Sequence, residues 1–195
     1  MNNPIISLSL VLFSTLCSAG CRQNETPKPR AYFRISFPEK KYVRYESECP
    51  FVFEYPVYAQ PVATANHTGE PCFFNLVFPK YKATIHLTYK KINNDLNVLL
   101  DDDWTFVYKK IAQKADAIEP HHYEDPKNRI YATVYDIKGN AASPVQFYTT
   151  DSVRHFLRGS LYFGTRPNYD SLAPSIHFFR RDIVHLIETF RWKND

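Results

Sequence analysis

Glycine is scarce in this chain of 195 residues, with only Gly20, Gly69, Gly139, Gly159 and Gly164. No pair of them opens a GxGxxG or GxxxxGK[ST] pattern, which excludes a glycine-cradled nucleotide site. Collagen and glycine-rich linkers are excluded on the same count. An excess of one charge is also lacking: the formal charge is +4, too small to argue for nucleic acid. The apolar run Pro4 to Leu16 is thirteen residues, too short to span a bilayer as a helix. Aromatics are plentiful at 16%, mostly Tyr and Phe, and that excludes disorder.

Residues 1–20 carry no charge, and their apolar run has the length of a signal-peptide h-region. Ser18-Ala19-Gly20 then precedes Cys21. This resembles the lipobox of bacterial lipoproteins and predicts lipidation at Cys21. Ser18 stands where Leu is usual, and no Lys or Arg precedes the apolar run. Cys17 is a worse candidate, because the bulky Leu16 precedes it. The expected organisation is a signal peptide over 1–20, a lipidated N-terminus and tether over 21–30, and one domain over 31–195. Residues 22–44 hold seven cations against two acids, a net of +5. A basic segment beside an acyl anchor is attracted to anionic headgroups; the alternative is a solvated linker.

With Cys17 removed and Cys21 acylated, Cys49 and Cys72 remain. An exported compartment is oxidising, so these two are expected to pair. No CxxC or Cys-His spacing suggests a metal.

Residues 51–55, 72–78 and 83–89 read as strands, with an irregular loop over 56–71. A helix follows, with Asn94 as its N-cap. Leu96, Leu99, Leu100, Trp104, Val107 and Ile111 form its apolar stripe, and Asp101-Asp102-Asp103 read as a solvated face. Strands over 129–137, 145–150 and 154–163 make an antiparallel meander. A second helix is capped by Asp170 or Ser171, has Pro174 in its first turn, and ends near Trp192. Its apolar face is Ile176, Phe179, Ile183, Leu186 or Ile187, and Phe190. The order βββ-α-βββ-α predicts one α+β domain, a mostly antiparallel sheet covered by two main helices. In layout it resembles the PsbP-type α/β/α sandwiches.

The chemistry-bearing residues form no motif. None of the seven histidines (His67, His86, His121, His122, His155, His177, His185) sits in HExxH, and His121-His122 reads as a loop pair. Ser143 follows Gly139-Asn140-Ala141-Ala142, but there is no G-x-S-x-G elbow. Asn66-His67-Thr68 matches a glycosylation triplet. No catalytic residue, metal or cofactor is assigned. Three features of a folded chain separate the remaining functions. An exposed aromatic patch marks protein docking. A pocket with convergent polar groups around Ser143, His155 or His86 marks an enzyme. A solvent-facing Trp104, Trp192 or row of tyrosines marks a sugar-binding module; a solvent-facing Trp104 also counts against protein docking. The helical stripe places both tryptophans against the core.

Long blocks in order nevertheless match a known family. They include Pro27 to Ile35, Cys49-Pro50-Phe51, Glu54-Tyr55-Pro56, Cys72-Phe73-Phe74-Asn75, residues 79–90, Gly139 to Ser143, His155 to Gly159 and Pro167 to Leu172. The sequence resembles the gliding-motility lipoprotein GldD family over nearly all of the mature chain. The resemblance implies a lipoprotein of the cell envelope, anchored through its lipid with the domain facing the periplasm. It implies partners among the envelope proteins of the gliding and type IX secretion machinery, no nucleic acid, and no established catalytic activity, so the chain is expected not to be an enzyme.

Overall fold

The computed structural model describes residues 35–64 and 72–193. The proposed signal peptide, Cys21, most of the basic segment and the Asn66-His67-Thr68 triplet lie outside the described residues. In chain order the elements are β1 (Tyr42–Tyr45), β2 (Phe51–Pro56), β3 (Gln60–Ala63), β4 (Phe73–Phe78), β5 (Ala83–Lys91), α1 (Leu96–Thr105), β6 (Ala115–Asp125), β7 (Ile130–Gly139), β8 (Val145–Thr150), β9 (His155–Phe163), α2 (Tyr169–Thr189) and β10 (Arg191–Trp192). Seven strands form one sheet in the order β3-β4-β5-β9-β8-β7-β6, every neighbour antiparallel. A small sheet, β1-β2-β10, completes a single α+β domain.

Alternation decides which side of each strand is dry. In β5 the side chains of Ala83, Ile85, Leu87 and Tyr89 are buried on one face, while His86 is exposed on the other. That buried face meets α2, whose Ile176, Phe179, Ile183, Leu186 and Ile187 share a core with Phe51 and Phe53 of β2 and with Phe190. Each fully buried Phe, Leu or Ile contributes about 1.5–3 kcal/mol. The N-terminus of α2 is capped by Asn168, which accepts from the Ser171 N–H, in place of the expected Asp170 or Ser171. Pro174 sits inside the helix, beyond its first turn. The helix stops at Thr189, so Trp192 belongs to β10.

Part of the opposite sheet face is covered by α1. Leu99 packs with Ile92 and Phe156. A π-helical turn, Phe106–Lys110, and a 3-10 turn, Ile111–Lys114, continue it and press Val107 and Ile111 onto Tyr135, Ile137 and Ala141. Its N-cap is Asp95, not Asn94. Asn94 takes a positive φ of 62°, and the Asp95 carboxylate accepts from the Asn93 N–H, leaving the cap without a side-chain bond.

Three strands differ from the expected pattern. Half of the residues of the short β1 and all of those of β3 are exposed, and β3 lies inside the expected loop. Residues 115–125 form β6, so His121 and His122 are on a strand and point to opposite faces. As an edge strand, β6 tolerates Pro120, since one side of its backbone needs no ladder bond.

Gly159 on β9 faces the buried Phe147 of β8. A Cβ there would sit 2.1 Å from the Phe147 ring. Gly159→Ala is therefore expected to destabilise by about 1–3 kcal/mol or more through overpacking. Urea unfolding of the variant checks this, and an unchanged midpoint would contradict it.

Candidate functional site

The register brings together residues that are far apart in sequence. One row crosses the sheet face opposite α2: Asn75 on β4 pairs with His86 on β5, His86 with Ser160 on β9, Ser160 with Gln146 on β8, and Gln146 with Tyr135 on β7. The next row carries Thr88 and Arg158. Where α1 gives way to the π-helical turn, Phe106 lies over Arg158, with the guanidinium carbon 3.9 Å from the ring centroid. His86, Thr88, Phe106, Arg158, Ser160 and Tyr162 line a cleft of about 430 Å³. That volume lies within the range of ligand pockets.

The polar groups of the cleft are held in place sideways. His86 Nδ1 lies 2.7 Å from Asn75 Oδ1, which places the ring proton on Nδ1 and leaves Nε2 as an acceptor. Partial desolvation of the ring by its neighbours lowers the pKa of His86 and favours this neutral form. Ser160 donates to Gln146 Oε1 at 2.6 Å, so His86 and Ser160 face each other while bonding away from each other. Gln146 is fully buried, and its amide nitrogen has no hydrogen-bond partner among the described residues. A buried donor left unmade costs about 1–3 kcal/mol.

Asp103 lies beside this row, and here the acidic run departs from expectation. Asp101 and Asp102 are exposed, but Asp103 is buried, with a carboxylate oxygen 3.4 Å from Arg158 Nε. Burial pushes its pKa up to about 6, against the opposing pull of Arg158 and a hydrogen bond from Tyr135. The folded pKa exceeds the unfolded one, so this contribution to stability is complete below about pH 4 and disappears as pH rises through about 6. The stability of Asp103→Asn relative to wild type is therefore expected to improve from about pH 4 to about pH 8, by roughly 1–3 kcal/mol. Thermal melts across that range check it; a constant difference would contradict it.

Trp104 is also displaced from its expected place. It is 46% exposed, stacks on Tyr108 at 5.1 Å and is capped by Lys109. Asp103, not Trp104, occupies the inward position of that turn. Trp192 is half-buried, between His155 at 4.9 Å and Phe190 at 4.6 Å.

The described chain begins as a strap docked on α2. Phe37 stacks on Phe178 at 4.2 Å and on Tyr81 at 5.6 Å. Lys40 donates to the buried Asp182 carboxylate at 2.7 Å and to the Phe178 carbonyl at 2.9 Å. Asp182 also accepts from Tyr42 and Tyr58. Burial lowers the Lys40 pKa, with Asp182 opposing the shift, and burial beside Asp182 raises the pKa values of both tyrosines. The sequence analysis missed this cluster, because its members lie up to 142 positions apart.

Cys49 and Cys72 are joined by a disulfide with Cα atoms 5.7 Å apart, linking the approach to β2 with the start of β4. Ser143 is buried and donates to the Val145 and Leu161 carbonyls, a packing role without a base. His155 is buried with Nδ1 2.8 Å from Tyr89 Oη, and His122 meets Thr133. His185 meets Glu54 and stacks on Tyr42. Glu119, His121 and Asp136 converge within 4.8 Å, a metal-like spacing, but Arg180 Nε binds both Asp136 oxygens at 2.7 Å and Lys138 faces Glu119 at 3.3 Å. A larger open cleft of about 660 Å³ lies on the small sheet, between Arg44, Glu54 and Arg191. No helix among the described residues is long and apolar enough to cross a membrane.

These features define an α+β domain with a ligand-sized polar cleft on the sheet face opposite its longest helix. A family model described as gliding motility lipoprotein GldD matches residues 22–192, so the chain belongs to that family. The resemblance carried by the sequence blocks is thus established. No curated protein sequence matches the chain. Among solved structures it is similar to the solution structure of cyanobacterial PsbP (CyanoP) from Synechocystis sp. PCC 6803. The identity is 13% and the TM-score 0.48, covering 82% of this chain and 97% of that one.

Proposed function

We propose that this protein is a lipid-anchored, non-enzymatic component of the gliding and type IX secretion machinery. Residues 1–20 act as the export signal, Cys21 carries the lipid, and residues 21–30 tether a periplasm-facing domain to an envelope membrane. The observation that carries this reading is the span of the family match, which begins at Arg22, one residue after the proposed lipid site. The docked strap supports it: a chain arriving from a membrane anchor enters the domain where Phe37 and Lys40 lock it to α2. Cys21 and the tether act upstream of that joint.

A second reading, carbohydrate binding, is favoured by one observation, the exposed Trp104 ring, which also counts against docking of a protein partner. The polar cleft around His86 meets the geometric condition set for an enzyme, but its Ser160 and His86 are hydrogen-bonded to Gln146 and Asn75 rather than to each other.

A clean deletion strain tests the primary reading. Loss of surface spreading and of a type IX cargo from the culture medium is expected, with both restored by the wild-type gene. Normal spreading and normal export without the gene would overturn it.

A further inference from the structure

The cleft beside α1 combines features that no structural role requires together. Its lining mixes donors and acceptors. Arg158 lines the cleft and brings guanidinium N–H donors to it, with the Asp103 carboxylate 3.4 Å from its Nε. His86 offers Nε2 as an acceptor, because Asn75 fixes its proton on the other nitrogen. Ser160 gives its proton to Gln146 and keeps lone pairs free, while Thr88 and Tyr162 hydroxyls serve in both directions. The half-buried Tyr162 ring, set edge-on to His86 at 5.4 Å, supplies an aromatic wall. The Arg158 charge is opposed by the buried Asp103, so the cleft has no strong excess of either sign.

Stability alone gives no reason for this arrangement. Asp103 and Gln146 are both buried; the Asp103 carboxylate is met by Arg158 Nε at 3.4 Å and by Tyr135, whereas the Gln146 amide nitrogen lacks a hydrogen-bond partner among the described residues. Polar networks buried with unmade bonds destabilise a fold, and apolar residues at these positions would pack at no such cost. The helix also leaves its regular winding at Phe106, on the rim of this cleft, and π-turns of this kind often mark functional sites.

We propose that this cleft, between His86, Thr88, Arg158, Ser160 and Tyr162, binds a neutral saccharide. Hydroxyl groups that each donate and accept match the mixed lining, and the apolar face of a sugar ring fits an aromatic wall. The volume of about 430 Å³ accommodates roughly two sugar rings. An anion would gain from Arg158 but would meet the Asp103 carboxylate behind it. This inference goes beyond the proposed motility role and does not depend on it, and its test with purified protein is read separately from any cell phenotype.

The full chain, purified in a zwitterionic detergent without a sugar headgroup, is titrated calorimetrically with the N-acetylglucosamine trimer, cellotriose and xylotriose. Inorganic phosphate and triglycine are run alongside. Binding of at least one neutral trisaccharide with a millimolar or tighter Kd is expected. Thr88→Ala and Ser160→Ala are expected to weaken it several-fold, and Arg158→Met roughly tenfold or more. His177→Ala, exposed on α2, should leave it unchanged. Thr88 lies at the cleft surface, so its variant keeps the test open if Arg158→Met fails to fold. Three results would overturn the proposal: no saccharide binds, phosphate or triglycine binds in their place, or all three cleft variants bind as well as wild type.

Discussion

Asp182→Ala is expected to lower the stability of the domain by about 3–5 kcal/mol and to release the strap from α2. The carboxylate is buried and receives Lys40, Tyr42 and Tyr58. Removing it strands a half-buried ammonium that also lies 3.3 Å from the Phe178 ring centroid, together with two hydroxyls. Attraction between Lys40 and Asp182 does not by itself make the pair stabilising, because both charges lost water on folding. Breaking one side is still costly, since the other side keeps its desolvation penalty. Lys40→Met should therefore cost less than Asp182→Ala: Met keeps much of the packing on Phe178, and the tyrosines still satisfy the carboxylate in part. Urea unfolding measures the order of the two variants, and limited proteolysis near residues 35–45 reads strap release. An Asp182→Ala protein with wild-type stability and an uncut strap would contradict this.

Loss of the Cys49–Cys72 bridge is expected to destabilise by about 3 kcal/mol, for a sequence separation of 23. For a domain of this size that lowers the melting temperature by roughly 10 °C. The bond fastens a junction as well as closing a loop. Near Cys49, the Lys193 ammonium donates to the Ser47 carbonyl and the Lys193 N–H to the Pro50 carbonyl, so the end of the described chain is clipped to the same turn. Cys49 itself is buried in the core with Phe51 and Phe53. The double variant Cys49→Ser, Cys72→Ser and reduced wild type should melt at similar temperatures. A melting temperature unmoved by either treatment would contradict the expectation.

The elements that sequence patterns revealed are those whose burial is one-sided and local. Ala83, Ile85, Leu87 and Tyr89 alternate because one face of β5 is dry, and α2 shows its stripe because one side of it meets the sheet. The meander was legible from its turns. By contrast, β6 was not, because an edge strand of mostly exposed residues has no period of apolar side chains, and Pro120 reads as a break. Asp103 was misjudged for a different reason. Three adjacent acids resemble a solvated surface, and the partner that makes burial of the third tolerable, Arg158, comes from β9. Trp104 followed from the same error, since the helix turns Asp103 inward and Trp104 outward.

The sites were less legible than the fold. Asn75, His86, Ser160 and Gln146 come from four strands and become neighbours only through the register. Seen alone, each is an ordinary polar residue on the outer side of a strand. The strap cluster is similar: nothing local to Lys40 points to Asp182. The family resemblance was legible because it rests on long ordered blocks, which need no knowledge of contacts.

The most direct measurement of the anchored-component reading compares deletion cells carrying the wild-type gene with cells carrying Cys21→Ser at matched protein abundance. Membrane fractionation and surface spreading are scored together. The expected result is that Cys21→Ser leaves the membrane fraction and fails to restore spreading. A Cys21→Ser protein that is absent from the membrane fraction yet restores spreading in full would contradict the account.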